Sequence, residues 1–91
     1  MAPKNPVYSS RFVRKAKKLR GIAGQELDDA VHDVLENPEI GQSKKGDLAG
    51  VCVYKFKMCK QETLLAYSAD AENVYFVAFG SHENFYRDLK I

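Results

Sequence analysis

The sequence of 91 residues has only two cysteines, and no apolar run approaches the length of a membrane span. Cys52 and Cys59 do not form a CxxC pair, and their odd spacing places them on opposite faces of a continuous strand. This pattern argues against a disulfide framework and a zinc site. A spanning helix needs about 20 apolar residues, and the first twelve residues lack the apolar core of a secretory signal. We predict one cytoplasmic domain over residues 1–91, without metal or cofactor.

Acidic residues are missing from residues 1–20, which carry seven Lys and Arg, although the net charge of the chain is only +2. Residues 21–39 show the reverse pattern, with six acids and no Lys or Arg, and residues 44–60 are again rich in lysine. Such blocks create local potentials that the net charge hides. Two interpretations stay open for the first two blocks: solvated helix faces that attract each other, or a basic surface for a charged partner.

The first half of the chain predicts a pair of helices. The stretch "SSRFVRKAKKLR" indicates a helix with Ser9 or Ser10 as its N-cap. Gly21 and Gly24 are expected to bracket the turn that follows. The expected buried stripe of this helix consists of Phe12, Val13, Ala16 and Leu19.

The second helix has the clearest pattern in the sequence. Its apolar residues recur at helical spacing, namely Leu27, Ala30, Val31, Val34 and Leu35. Pro38 disfavours helical geometry in the residue before it, so the helix should end near Asn37. His32 lies between acids next to the apolar stripe, and we interpret it as a solvated surface histidine.

The second half predicts a small sheet. The stretch "IGQSKKGDLAG" is expected to be a loop, with a possible strand entry at Leu48. Strands follow at 51–58, 62–68 and 74–80, and their short connections imply an antiparallel meander. A short helix at 82–89 closes the chain, and residues 1–8 allow one short N-terminal strand. The fold class is therefore α+β, with an N-terminal helical hairpin packed on one face of the sheet.

Alternation along the first strand of the meander separates two faces. Tyr54, Phe56 and Met58 point to the helices, whereas Lys55 and Lys57 point with Val53 to the other, solvent-facing side. Two outward lysines are common on any soluble sheet. On a nucleic-acid-binding protein they would hold phosphates on a rigid surface.

The C-terminal stretch "GSHENFY" places a histidine directly after the last strand. An imidazole exchanges protons near neutral pH, and RNA cleavage by transesterification needs such a group beside cations that stabilise the phosphorane. His82 would be the acid or base, Lys55, Lys57 and Arg87 would stabilise charge, and Tyr86, one helical turn after His82, would orient the phosphate or stack on a base. The alternative is that His82 only begins a helix and Tyr86 packs against the sheet.

The order of elements together with the stretches "YKFK", "LLAYS" and "VYFVAFGSHENFY" resembles the RelE/ParE superfamily of bacterial toxins over roughly residues 9–90. The histidine-bearing end is similar to the YafQ and YoeB branches, and the paired lysines to the RelE branch. The resemblance implies the toxin of a type II toxin–antitoxin pair that cuts mRNA in the ribosomal A site without a metal. A cognate antitoxin would neutralise it, and the complex would bind operator DNA.

The resemblance also implies roles for particular residues. Lys55 and Lys57 match the strand lysines that act at the scissile phosphate, His82 matches the proton donor, and Tyr86 matches the C-terminal aromatic, with Phe85 as the other candidate. The middle strand departs from the pattern, because Leu64 stands where an arginine is expected. The remaining expected phosphate contacts are Arg87 and Lys60, which would supply the missing charge, and Arg14 and Lys18 on the basic first helix.

Two other functions remain open. The ParE branch poisons DNA gyrase and generally lacks the lysine–histidine–tyrosine set, so that set favours the ribonuclease. A non-catalytic binding module on the same scaffold is kept open by the missing arginine at Leu64. The basic first helix is compatible with contact to ribosomal RNA and with docking of an acidic antitoxin.

Overall fold

The computed structural model describes residues 4–43 and 50–81. The predicted strand entry at Leu48 and the predicted helix at 82–89 lie outside these residues. The elements in chain order are β1 (Asn5–Tyr8), α1 (Ser10–Ala16), α2 (Ile22–Glu36), a 3-10 turn (Pro38–Ile40), β2 (Gln42–Ser43), β3 (Cys52–Met58), β4 (Gln61–Ala69) and β5 (Asn73–Ser81).

The strands form one sheet in the order β1-β5-β4-β3-β2. Strands β3, β4 and β5 make the predicted antiparallel meander. The short N-terminal strand is also present, and it pairs in parallel with β5, so the sheet is mixed. Strand β2 was not predicted, because Gln42 and Ser43 belong to a stretch whose composition indicated a loop.

Helix α2 agrees with its sequence pattern. All five residues of the predicted stripe are buried, and the helix ends at Glu36 with Asn37 as its C-cap. His32 is exposed, as expected. The expectation for Gly24 was wrong, because this glycine lies inside α2 and only Gly21, with a φ of 57°, makes the turn.

Helix α1 is shorter than predicted. It is capped by Ser9, whose hydroxyl accepts a hydrogen bond from the Phe12 N–H, and it ends at Ala16. Phe12 is buried as predicted, but Val13 is 36% exposed and is not part of the core. Ala16 and Leu19 are partly buried against the core.

The main core lies between the helices and one face of the sheet, as predicted. The partly buried side chains of Tyr54, Phe56 and Met58 pack against it from β3. Its fully buried centre is formed by Val34 of α2 with Leu65, Tyr67, Val74 and Phe76 of the sheet. No helix in residues 4–43 and 50–81 is long and apolar enough to span a membrane.

The Tyr67 side chain joins the centre of the sheet to the segment that follows α2. Its hydroxyl donates a hydrogen bond to the Pro38 carbonyl and accepts one from the Gly41 N–H at 2.9 Å. Burial raises the pKa of this hydroxyl. A Cβ atom on Gly41 would collide with the Tyr67 ring and hydroxyl, so this close approach requires glycine. The Tyr67 hydroxyl thereby fixes the point at which the chain enters β2.

Tyr67→Phe is expected to lower the free energy of unfolding by about 1–3 kcal/mol, because two backbone groups lose their partner at a buried site. Urea unfolding followed by circular dichroism measures the loss. Tyr75→Phe is the matched control, since the Tyr75 hydroxyl bonds Asp70 at the exposed surface. A loss no larger for Tyr67→Phe than for the control would show that the hydroxyl contributes little.

Candidate functional site

The lysine-bearing strand β3 continues into β4 through a tight two-residue hairpin. Its residues, Cys59 and Lys60, have φ angles of 53° and 68°, the left-handed pair that a type I′ turn requires. Met58 and Gln61 close the ladder on either side. Lys60 is exposed at the tip of this hairpin, so three lysines of the predicted site lie within one short hairpin.

Two carboxylates of α2 hold the helix-facing side of this hairpin. Glu26 accepts a hydrogen bond from the Cys59 N–H at 2.9 Å, and Asp33 accepts one from the Tyr54 hydroxyl at 3.3 Å. Burial, and then the Asp33 charge, raise the pKa of Tyr54. These contacts hold β3 near its start and just after its end. Alternation along the strand then places Lys55 and Lys57 on the face away from the helices.

The face that carries the lysines is only partly exposed. Lys55 and Lys57 are exposed, as predicted, but Val53, Leu64 and Ala66 form a second buried cluster on the same face. The expectation of a solvent-facing position was therefore wrong for Val53, which is 4% exposed. The lysines stand at the border of an apolar surface and water, where electrostatic interactions are stronger than in bulk water.

The two lysines have different surroundings. Lys55 lies opposite Leu64 in the ladder, and Leu64 is fully buried. Lys57 lies opposite Glu62, and it is also one of the residues that line a surface groove with three acids of α2: Glu26, Asp29 and Asp33. Lys55 is thus the lysine whose cross-strand partner is apolar, whereas the charge of Lys57 is partly offset by nearby acids.

The last described residue of β5 lies near the lysine-bearing hairpin. Strand β5 ends at Ser81, which pairs with Thr63, three residues after Lys60 of the turn. His82, Phe85, Tyr86 and Arg87 follow in the sequence and lie outside the described residues. Ser81 itself lies at the same end of the sheet as Lys57 and Lys60.

Arg14 and Lys18, the two phosphate contacts predicted on the first helix, lie on α1 and just after its end, and α1 contacts β5. They line a shallow groove together with two further cations, Arg11 and Lys15. The Lys15 ammonium donates a hydrogen bond to the Phe79 carbonyl at 2.7 Å and lies 5.2 Å from the centre of the Phe79 ring. This bond places the groove beside the last residues of β5.

Three charged residues near these surfaces were not predicted from the sequence: Arg11, Lys15 and Glu62. The spacing of Arg11, Arg14, Lys15 and Lys18 is i, i+3, i+4 and i+7, which could have identified one helix face. Glu62 could only be recognised once the register placed it opposite Lys57. Within residues 4–43 and 50–81, no three His, Cys, Asp or Glu side chains converge as a metal site would require.

Comparisons with known proteins bear on the family and the fold of this chain. A family model described as "ParE-like toxin of type II bacterial toxin-antitoxin system" matches residues 7–90. A comparison with curated proteins gives no significant match.

Several solved structures share the fold at low sequence identity. The chain is 22% identical to a chain of the intact E. coli RelBE toxin–antitoxin complex, with a TM-score of 0.67 over 86% of this chain and 95% of that one. A chain of a Mycobacterium tuberculosis RelBE2 complex is 18% identical, with a TM-score of 0.68 over 89% of this chain and 100% of that one. E. coli YafQ is 16% identical, with a TM-score of 0.64 over 91% of this chain and 98% of that one. At these identities the similarity shows the fold.

Proposed function

Since the chain belongs to the ParE-like family of toxins of type II bacterial toxin–antitoxin systems, we propose that it acts as a ribosome-dependent endoribonuclease that cuts mRNA and stops translation. The observation that carries this proposal is the position of Lys55. It is an exposed cation on a strand held at both ends by α2, beside a buried apolar cluster and one hairpin away from the residue that precedes His82.

The proposed reaction is transesterification. The 2′-hydroxyl of the RNA gives its proton to solvent water, and its oxygen bonds to phosphorus. The bond from phosphorus to the 5′-oxygen breaks, and His82 donates a proton to the departing oxygen and regains one from solvent. The products are a 2′,3′-cyclic phosphate and a 5′-hydroxyl. Lys55, assisted by Lys57, stabilises the negative charge of the phosphorane. Tyr86, or Phe85 in its place, orients the phosphate or stacks on a base, while Arg87 and Lys60 supply the charge missing at Leu64.

The proposal includes a protein partner. The RelBE and RelBE2 chains come from toxin–antitoxin complexes, and we infer that a cognate antitoxin binds and inhibits this chain as well. Contact with operator DNA would then occur only through that complex. The ribosome as the site of action implies the cytoplasm.

One observation favours a second function. Leu64, where the ribonuclease pattern expects an arginine, is fully buried and brings no charge to the lysine-bearing face. A chain without that cation fits a ParE-like gyrase poison, which needs no phosphate site on the sheet. Inhibition of gyrase supercoiling by the purified protein, without RNA cleavage, would support this function.

Primer extension on mRNA incubated with ribosomes tests the proposal. The wild type is expected to cut within translated codons, and His82→Ala is expected to reduce cutting by at least about 100-fold, because general acid catalysis contributes 10²–10⁴. His32→Ala is the matched control, since His32 is exposed on α2. Absence of cuts with the wild type, together with growth arrest on expression, would reject the ribonuclease in favour of gyrase.

A further inference from the structure

The turn between β3 and β4 has a backbone conformation that its two residues do not favour. Cys59 and Lys60 both have positive φ angles, of 53° and 68°. Two-residue turns of this kind are usually formed by Asn-Gly, Asp-Gly or Gly-Gly, because a Cβ atom is sterically hindered in the left-handed region. Neither residue of this turn is glycine, asparagine or aspartate. A strained backbone persists where contacts from the rest of the protein hold it, so the source of those contacts is informative.

A carboxylate of α2 makes such a contact. Glu26 accepts a hydrogen bond from the Cys59 N–H at 2.9 Å, across 33 positions of the sequence. Hydrogen bonds to a carboxylate are stronger than those between neutral groups. Glu26 is half-buried, and its neighbour Leu27 belongs to the main core, which holds this part of α2 in place. The bond therefore links the strained turn to an element that is anchored by the core.

The turn controls the position of cations in the candidate site. Lys60 is its second residue, and Lys57 precedes its first residue by two positions. Thr63, three residues after Lys60, pairs with Ser81 at the end of β5. A change in the φ angles of the turn would move Lys60 relative to Ser81. An error of about 1 Å in the position of a group can reduce a rate by about 100-fold, so the geometry of the turn affects charge stabilisation.

Glu26 can act on the site in two ways, which have opposite effects. As a hydrogen-bond acceptor it stabilises the turn and fixes Lys60. As an anion it lines the same groove as Lys57 and opposes the approach of RNA phosphates. The short bond to a turn that its own residues disfavour supports the first role.

We propose that Glu26 is a positioning residue for RNA cleavage, which acts through the Cys59 N–H to hold Lys60 at the cation-rich end of the sheet. This inference rests on the proposed function and adds to it a residue of α2 that does not contact the RNA. The contribution of Glu26 is the geometry of the turn, whereas its charge works against phosphate binding.

The test is single-turnover primer extension with ribosomes over a range of protein concentrations, which separates the maximal cleavage rate from the half-saturating concentration. Glu26→Ala is expected to reduce the maximal rate by about tenfold and to change the half-saturating concentration less, because a cation is misplaced but not removed. Glu26→Gln keeps an acceptor oxygen without the charge, so it should recover most of this loss. Glu36→Ala is the matched control, since Glu36 is an exposed acid at the other end of α2.

A second change isolates the turn from any other role of Glu26. Cys59→Asn introduces a residue that favours a positive φ at the first position of this turn, and it leaves Lys60 in place. Added to Glu26→Ala, it should restore the maximal rate to within about threefold of the wild type, because the turn then forms without the carboxylate. Urea unfolding checks that every variant is folded in the assay buffer, and amide hydrogen exchange at residue 59 reports the loss of the bond in Glu26→Ala.

Three outcomes would overturn the inference. Equal rates for Glu26→Ala and Glu36→Ala would show that the bond does not position the site. Equal losses in Glu26→Ala and Glu26→Gln would assign the effect to charge, and failure of Cys59→Asn to restore the rate would show that Glu26 does not act through the turn. Absence of cleavage by the wild type is a different result, because it rejects the proposed function itself and with it any role of Glu26 in cleavage.

Discussion

Lys55→Met is expected to reduce ribosome-dependent mRNA cleavage by about 100- to 1,000-fold, the usual cost of removing one preorganised group that stabilises transition-state charge. Lys55 lies opposite the buried side chain of Leu64, at the edge of an apolar cluster. Its charge therefore acts on the phosphorane with less screening than in bulk water. Single-turnover primer extension with saturating protein measures the rate.

The loss of cleavage rate in Lys55→Met should be compared with the loss in Lys57→Met. Lys57 faces Glu62 and lines a groove with three carboxylates, so its removal should cost less, about tenfold. Lys17→Met is the control, because Lys17 is an exposed residue at the C-cap of α1 and is not part of the sheet. All three variants should unfold at the urea midpoint of the wild type. Cutting by Lys55→Met at the wild-type rate, or a larger reduction in Lys57→Met, would contradict the assignment of Lys55 as the main phosphate contact.

Leu64→Arg is expected to lower the free energy of unfolding by about 3–5 kcal/mol and to leave cleavage no faster than in the wild type. Leu64 is fully buried, and it packs with Val53 and Ala66 on the lysine-bearing face. An arginine there would bury a charge beside the cation of Lys55, its cross-strand neighbour. Introducing the residue that the resemblance expects at this position should therefore destabilise the protein.

Leu64→Met provides the control, since a volume-conserving apolar exchange usually costs less than about 1.5 kcal/mol. Urea unfolding by circular dichroism gives both stabilities, and primer extension gives both activities. If Leu64→Arg unfolded at the wild-type midpoint and cut mRNA faster, the buried cluster would have to open for the guanidinium. The position would then belong to the phosphate site.

Sequence patterns correctly predicted the features that depend on residues close together in the chain, such as helical spacing and strand alternation. The apolar stripe of α2 and its end before Pro38 follow from helical spacing and from the geometry that proline imposes. Alternation in β3 correctly assigned Tyr54, Phe56 and Met58 to the helix side. Three details of the helices differ from the prediction. Helix α2 continues through Gly24 despite the low helix propensity of glycine, α1 ends at Ala16, and Val13 is exposed although its neighbour Phe12 is buried.

The short strands were harder to predict. Strand β2 has two residues, which is too few to show alternation, and it exists because it pairs with Cys52 and Val53. For β1, the sequence allowed a short N-terminal strand in residues 1–8 but did not specify its pairing. Its parallel pairing with β5 joins residues almost 70 positions apart, as for Asn5 and Asn73. Such pairing depends on contacts that no sequence window contains.

The sequence by itself determined which residues carry charge and on which side of their own strand or helix they lie. Lys55 and Lys57 therefore share a face for a reason that is already present in the alternation of β3. Only the tertiary structure decided that this face is half buried, that Lys57 lies near the acids of α2, and that Lys15 of α1 lies beside the end of β5. Periodicity specifies the orientation of a side chain within its own element, whereas its neighbours depend on the register and packing of elements that are distant in the chain.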